Sequence, residues 1–222
     1  MEFVARNTTI PVPRVLDFFE IKGFQHLVQE YIEGDILEDV WPKMTDEQRH
    51  DAVLQLKEFM DQLRALQPPQ PGRVQAVDGG PLNDPRISRS RPWGPFVSNI
   101  DFGDFSFRGA VKKNLDRYPG AAELYDKVEG RTWKTVFSHG DLGPHNILWK
   151  DGRIVSIIDW EYAGWFPEYW EYTRTFLATG LFPQDENRCN FWRVFDSVVD
   201  RYPDELAIEQ LLAASFDGFY IL

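Results

Sequence analysis

Apolar and polar positions change period several times along the chain, and the changes divide it into elements. Arg14–Glu20 and Phe24–Ile32 read as two strands with Lys22-Gly23 in the turn between them. Thr45-Asp46-Glu47-Gln48 is a capping-box pattern, followed at helical spacing by Val53, Leu56, Phe59/Met60, Leu63 and Leu66, with Pro68-Pro69 as the stop. That predicts a core helix in which Phe59 and Met60 are packing residues. Residues 68–105 are rich in Gly, Pro and Asp and carry few periodic features. Helices are predicted at 107–117, 121–129, near 168–179, 185–200 and 204–220. Phe191, Trp192, Phe195, Val198 and Val199 give one of them an apolar face.

The stretch from Ser138 to Trp165 carries the chemistry. Asp151-Gly152 between apolar-rich runs is the strongest short-range signal for a β-hairpin. With those two residues as the turn, Lys150 faces Arg153, and outward pairing places Asn146 opposite Ile157. Asp159, two residues further, then shares a face with Asn146, because side chains alternate with period 2. Diagonal neighbours of this kind lie roughly 7–8 Å apart, close enough to share a cation. Asp141 stands five residues before Asn146 in a Gly/Pro-containing loop. Two carboxylates and an amide oxygen are hard ligands, suited to Mg²⁺ carrying a phosphate.

HGDLGPHNI followed by IIDWE resembles the aminoglycoside phosphotransferase and choline kinase group, small-molecule relatives of the protein kinases. The resemblance implies that Asp141 is catalytic and receives the substrate hydroxyl proton, and that Asn146 and Asp159 hold the metal. His139 falls at the motif position that braces the loop and is grouped with Asp141 as catalytic. Glu30-Tyr31-Ile32-Glu33-Gly34 resembles the hinge between lobes, which brings Glu30 and Ile32 to the adenine of ATP; a strand simply ending at Gly34 is the plainer reading. Glu161, Trp165, Trp93 and His145 are the implied substrate residues. Arg86, Arg89 and Arg91 beside Trp93 form either an anion-binding cluster or a surface loop anchored by Trp93. The implied fold is α+β and protein-kinase-like, with a mainly helical large lobe, a central β-hairpin and a reduced two-stranded small lobe. The expected division is 1–34 for the truncated small lobe and hinge, and 35–222 for the catalytic lobe. The implied cofactors are Mg²⁺ and ATP.

The sequence departs from that pattern at its beginning. It has no G-x-G-x-x-G, and no lysine precedes Lys22. Three functions therefore stand: Mg-ATP-dependent phosphorylation of a small-molecule hydroxyl, an ATP-independent acid/base enzyme of cyclase or lyase type acting on an apolar secondary metabolite, and a non-catalytic binding protein. In the second, Asp141 would work with His139 or His145.

Composition narrows the partners. The 222 residues carry a formal charge of −11, with 43% hydrophobic and 27% charged residues. No basic stripe suits nucleic acid or an anionic membrane. One cysteine, Cys189, excludes an internal disulfide. The N-terminus lacks an apolar signal core, so a cytoplasmic, soluble protein is expected. The apolar Arg14–Glu20 strand calls for cover, either as a homodimer across this small-lobe edge or by packing of Phe18 and Phe19 beneath residues 1–10.

Overall fold

The computed structural model describes residues 1–83, 92–106, 120–179 and 184–215. The arginines Arg86, Arg89 and Arg91, the helix expected at 107–117 and the end of that expected at 204–220 lie outside the described residues.

The chain opens with helix α1 (Glu2–Asn7) and a hairpin of β1 (Val15–Ile21) and β2 (Phe24–Gln29). A short β3 (Asp35–Ile36) and α2 (Leu37–Val40) lead to α3 (Asp46–Ala65). Thr45 caps α3 reciprocally with Gln48, and the helix ends at Ala65, ahead of the two prolines. Within the stretch without periodicity lie β4 (Gln75–Ala76) and an unforeseen helix, α4 (Asn99–Ser106). The remainder runs α5 (Ala121–Val128), β5 (Thr135–Ser138), β6 (Ile147–Lys150), β7 (Arg153–Ile157), β8 (Gly164–Pro167), α6 (Trp170–Thr179), α7 (Glu186–Val198) and α8 (Pro203–Ser215). The architecture is α+β: three small antiparallel sheets, ordered β1-β2, β3-β6-β7 and β4-β8-β5, set against helices.

The larger core packs the apolar face of α3 (Val53, Leu56, Met60, Leu63) on Phe137, Ile154 and Ile157, with Phe191 and Phe195 of α7 closing it. Val4 and Ile10 are buried in the same core, and the Pro11 carbonyl accepts from Ile157 N at 2.8 Å. Residues 1–11 thus lie on the large body rather than over the hairpin. Phe18 and Phe19 are not covered by them: Phe18 is 59% exposed and Phe19 37%, and Phe19 stacks on His26 with centroids 5.2 Å apart. The expected packing of these phenylalanines beneath the leader is corrected accordingly.

The central hairpin forms at Asp151-Gly152, both at positive φ, and its register differs from simple outward counting. Lys150 faces Arg153 and Trp149 faces Ile154, but Leu148 faces Ser156. Val155 is therefore an extra residue, a β-bulge. It displaces Asn146 from Ile157 to Ile158, whose N–H donates to the Asn146 carbonyl at 3.0 Å. Gly34 explains the bulge's surroundings: a Cβ there would come 2.9 Å from Val155 Cγ2 and 3.3 Å from the Trp149 carbonyl. Only glycine lets the segment after β2 pass so close.

Candidate active site

β5 runs buried to Ser138, and the chain then turns through His139–Asn146 before entering β6. Gly140 makes the turn at φ +83°, where a Cβ would meet the Tyr162 carbonyl at 2.6 Å. The loop closes on itself: Gly143 N donates to the Asp141 carbonyl at 2.9 Å, and Asn146 N to the Gly143 carbonyl at 3.0 Å. Asn146 Nδ2 donates to the Asp141 carbonyl at 2.9 Å and lies 3.4 Å from its Oδ2. That engagement turns the amide nitrogen toward Asp141 and leaves Asn146 Oδ1 as the atom able to ligate a cation.

His139 is wholly buried and both its ring nitrogens are engaged. Nε2 donates to the Ile158 carbonyl at 2.9 Å and Nδ1 accepts from Asp141 N at 3.2 Å, while the ring lies against Trp160 with centroids 4.5 Å apart. It ties the Asp141 loop to the end of the hairpin. Its grouping with Asp141 as a catalytic residue is corrected: an enclosed imidazole with both nitrogens occupied has no proton path to substrate.

Sequence reasoning missed Glu171, which holds the loop from below. Its carboxylate, carried by α6, accepts from His139 N at 2.5 Å, from Gly140 N at 3.2 Å and from Leu142 N at 3.3 Å. Only 4% of the residue is exposed. Burial, opposed by those backbone donors and assisted by the Asp141 charge, raises its carboxyl to about 7. No local signal marks it, since it stands 30 residues from the loop in an aromatic-rich helix. The available hint was the isolated acid in Tyr169-Trp170-Glu171-Tyr172.

Asp159 reaches the site by backbone conformation. It adopts φ 61°, ψ 60° at the start of the single turn Trp160–Tyr162. Left-handed geometry is strained for most residues and least so for Asn, Asp and Gly. After the bulge has cost the same-face alignment, this twist carries Asp159 back toward Asp141 and His145. Its carboxyl is raised above the ordinary range by desolvation first, then by the charges of Glu161 and Asp141. His145 and the Glu161 N–H offset this only in part, and a bound cation would relieve the remainder. Among the described residues no group of three or more His, Cys, Asp or Glu could hold a metal. Asn146 and Asp159 fit Mg²⁺, which takes one or two protein ligands and fills the remaining positions with phosphate and water.

The other expected site residues divide. His145 Nε2 lies 3.5 Å from Asp141 Oδ2, and its ring covers Gly143, where a Cβ would meet it at 2.5 Å. Glu161 is exposed beside Asp159. Glu30, Tyr31 and Ile32 line a cleft of ≈ 200 Å³ floored by Ile36, Leu148 and Ile158. Glu30 N is occupied by the Arg14 carbonyl at 2.9 Å. A larger cleft of ≈ 480 Å³, between α1 and Phe137, Trp160 and Ala163, includes none of Asp141, Asn146 and Asp159. Trp165 and Trp93 are corrected from substrate contacts to core residues. Trp165 is 1% exposed and edge-on to Phe137 at 5.2 Å. Trp93, tied to Leu82 by paired backbone bonds of 2.8 Å, stacks on Phe102 at 5.8 Å in the second core. No helix among the described residues is long and apolar enough to cross a membrane.

Comparison with known proteins finds similar phosphotransferases and kinases. An aminoglycoside 3'-phosphotransferase of Enterococcus faecalis is 28% identical over 154 residues, covering 68% of this chain and 52% of its own. A hygromycin-B 4-O-kinase of Escherichia coli is 25% identical over 182 residues, covering 77% and 49% respectively. The chain thus spans about half the length of these curated relatives. The crystal structure of aminoglycoside phosphotransferase APH(4)-Ia superposes with a TM-score of 0.64 at 19% identity, covering 96% of this chain and 71% of that one. That likeness makes the fold protein-kinase-like. A family model described as "Phosphotransferase enzyme family" matches residues 1–188, and with the Asp141 loop, the bulged hairpin and Asp159 all inside that span, this chain belongs to the phosphotransferase enzyme family.

Proposed function

We propose that this chain transfers a phosphoryl group from a Mg²⁺-bound nucleoside triphosphate to a hydroxyl of a small, cationic, hydroxyl-rich molecule. What supports the reading is that the Asp141 loop, hydrogen-bonded to Asn146, lies within electrostatic reach of the left-handed Asp159. Asp141 accepts the acceptor hydroxyl's proton; Asn146 keeps its backbone in place and His145 flanks its Oδ2. Asn146 Oδ1 and Asp159 would hold the metal, which would supply charge neutralisation on the phosphates. Glu30 and Ile32 meet the nucleotide base in the smaller cleft, at the junction of the β1–β2 hairpin and the catalytic part from residue 35 onward. The exposed carboxylate of Glu161, next to Asp159, suits a cationic acceptor. Aminoglycosides are the first to try, because the similar proteins are named for them.

The test is nucleotide titration with and without Mg²⁺, followed by a search for acceptor-dependent ADP release with kanamycin, hygromycin B and related amines. Asp159→Asn should weaken Mg-nucleotide binding, and Asp141→Asn should leave it intact and remove turnover. A second reading is favoured by the approach of His145 to Asp141, an acid–base pair that needs no nucleotide. Turnover of a natural substrate in chelator, without ATP, would establish it and exclude phosphoryl transfer.

A further inference from the structure

Within the loop from His139 to Asn146, phosphoryl transfer gives roles to Asp141 and Asn146, and packing accounts for His139. His145 is left. It is half-buried in the single turn Pro144–Asn146, with Nε2 at 3.5 Å from Asp141 Oδ2. The Asp141 backbone is already held on both sides. Its N–H donates to His139 Nδ1 at 3.2 Å, and its carbonyl accepts from Gly143 N and Asn146 Nδ2, each at 2.9 Å. Those bonds leave the carboxylate its own two torsions, whereas a working base has to be held to about 0.5 Å. Two donors act on those torsions, both at Oδ2. One is Asn146 Nδ2 at 3.4 Å, already committed to the Asp141 carbonyl; the other is His145 Nε2. An ionised carboxylate only accepts, so Nε2 is the nitrogen that carries the hydrogen here. Both distances exceed the roughly 2.7–3.2 Å of a closed N–H···O bond, and such contacts at catalytic groups tighten when substrate binds.

Gly143 makes room for this imidazole. Its φ of −122° and ψ of 168° are extended values that any residue adopts, and the proline that follows favours them. Conformation therefore does not call for glycine; space does. A Cβ at 143 would come 2.5 Å from Cε1 and 2.7 Å from Nδ1 of His145. The ring is seated on bare backbone. An imidazole can donate its N–H while neutral. Lysine or arginine would instead set a fixed cation within reach of Asp159, where the metal is proposed to bind.

We propose that Gly143 and His145 form a positioning pair for the base: the imidazole, seated on Gly143, holds Asp141 Oδ2 and so presents Oδ1 to the acceptor hydroxyl. A carboxylate oxygen has two acceptor positions, and His145 Nε2 and Asn146 Nδ2 fill those of Oδ2. The hydroxyl proton passes to Oδ1 as the new oxygen–phosphorus bond forms, and the nucleoside diphosphate leaves with the electron pair of the broken bond. His145 exchanges no proton and acts through Asp141. The role rests on the phosphoryl-transfer reading.

ADP release by the 222-residue chain, with the amine acceptors and with water alone as acceptor, tests it. His145→Ala and Gly143→Ala should each lower kcat by about tenfold or more, with Mg-nucleotide affinity unchanged although Asn146 is the next residue. The double variant should be no worse than either single one, because both changes remove the same contact. His145→Gln should recover most of the loss, since its amide nitrogen reaches the place of Nε2; His145→Asn, which reaches only to Nδ1, should not. A merely structural role would not separate those two. Additive losses in the double variant, equal recovery by Gln and Asn, or full kcat in Gly143→Ala each overturn the proposal. So does weakened nucleotide binding in every variant, which would indicate loop distortion. A wild type that releases no ADP overturns the phosphoryl-transfer reading itself, and this role with it. Circular dichroism of each variant separates a lost contact from lost folding.

Discussion

The molecule contains two hairpins with the same turn chemistry and opposite fates. Lys22-Gly23 and Asp151-Gly152 both place two residues at positive φ in a two-residue loop, the geometry that matches the twist of paired strands. The β6–β7 hairpin is then enclosed. β3 pairs with its β6 edge, Pro11 bonds to Ile157, and Gln55 of α3 clamps its turn, Oε1 accepting from Ile154 N at 3.0 Å and Nε2 donating to the Gly152 carbonyl at 3.1 Å. Among the described residues the β1–β2 hairpin has no comparable support. A turn decides that two strands pair; burial around them decides whether the pair can hold reacting groups still. Preorganised polar groups act only where their surroundings prevent reorganisation.

The largest way to break this comparison is at the enclosed hairpin's catalytic end. Asp141→Asn should lower kcat by about 10²–10⁴-fold with nucleotide affinity intact, measured by coupled ADP release and titration calorimetry. A matching substitution on the other hairpin, Asp17→Asn, should change neither.

Next comes the support beneath the loop. Glu171→Ala leaves the buried N–H groups of His139, Gly140 and Leu142 without an acceptor, at about 1–3 kcal/mol each before relaxation, so chemical denaturation should show several kcal/mol lost. Glu171→Gln isolates the charge. The folded Glu171 carboxyl sits near 7, above its value of 4.5 in the unfolded chain. A raised acid favours the folded state when protonated. Its contribution is complete below pH 4.5 and is lost as pH rises through 7, by on the order of 3 kcal/mol at most. The stability advantage of the wild type over Glu171→Gln should therefore shrink between those values and level off above them. A constant difference would show that the carboxyl is not raised.

A smaller effect is expected at the clamp. Gln55→Ala removes both bonds to the β6–β7 turn and should cost about 1–2 kcal/mol, read from denaturant midpoints. The smallest belongs to the β1–β2 hairpin: Phe18→Ser should move stability by about 0.5 kcal/mol or less, because the side chain has little to lose on exposure. Hydrogen exchange gives the direct contrast. The β1–β2 amides should exchange through local opening while those of β6–β7 follow global unfolding.

Features set by neighbouring residues were legible in the sequence. Both turns, the Thr45–Gln48 cap and the helices from Asp46, Ala121, Trp170 and Glu186 depend on backbone preference and periodicity over a few residues, and they stand where the pattern places them. The spacing of Asp141, Asn146 and Asp159 was legible too, because the turn between them is local. What only the tertiary structure decided depends on packing between distant segments. Counting by twos cannot see the Val155 bulge, which lies against Gly34 more than a hundred residues earlier. Hydrophobic pattern does not say which way an aromatic faces, so Trp93 and Trp165 became core rather than cleft. A buried acceptor such as Glu171 is recognised only by the N–H groups that meet it, and those arrive from another part of the chain. The strands β1 and β2 were evident from their residues; that their side chains are exposed among the described residues is visible only in the structure.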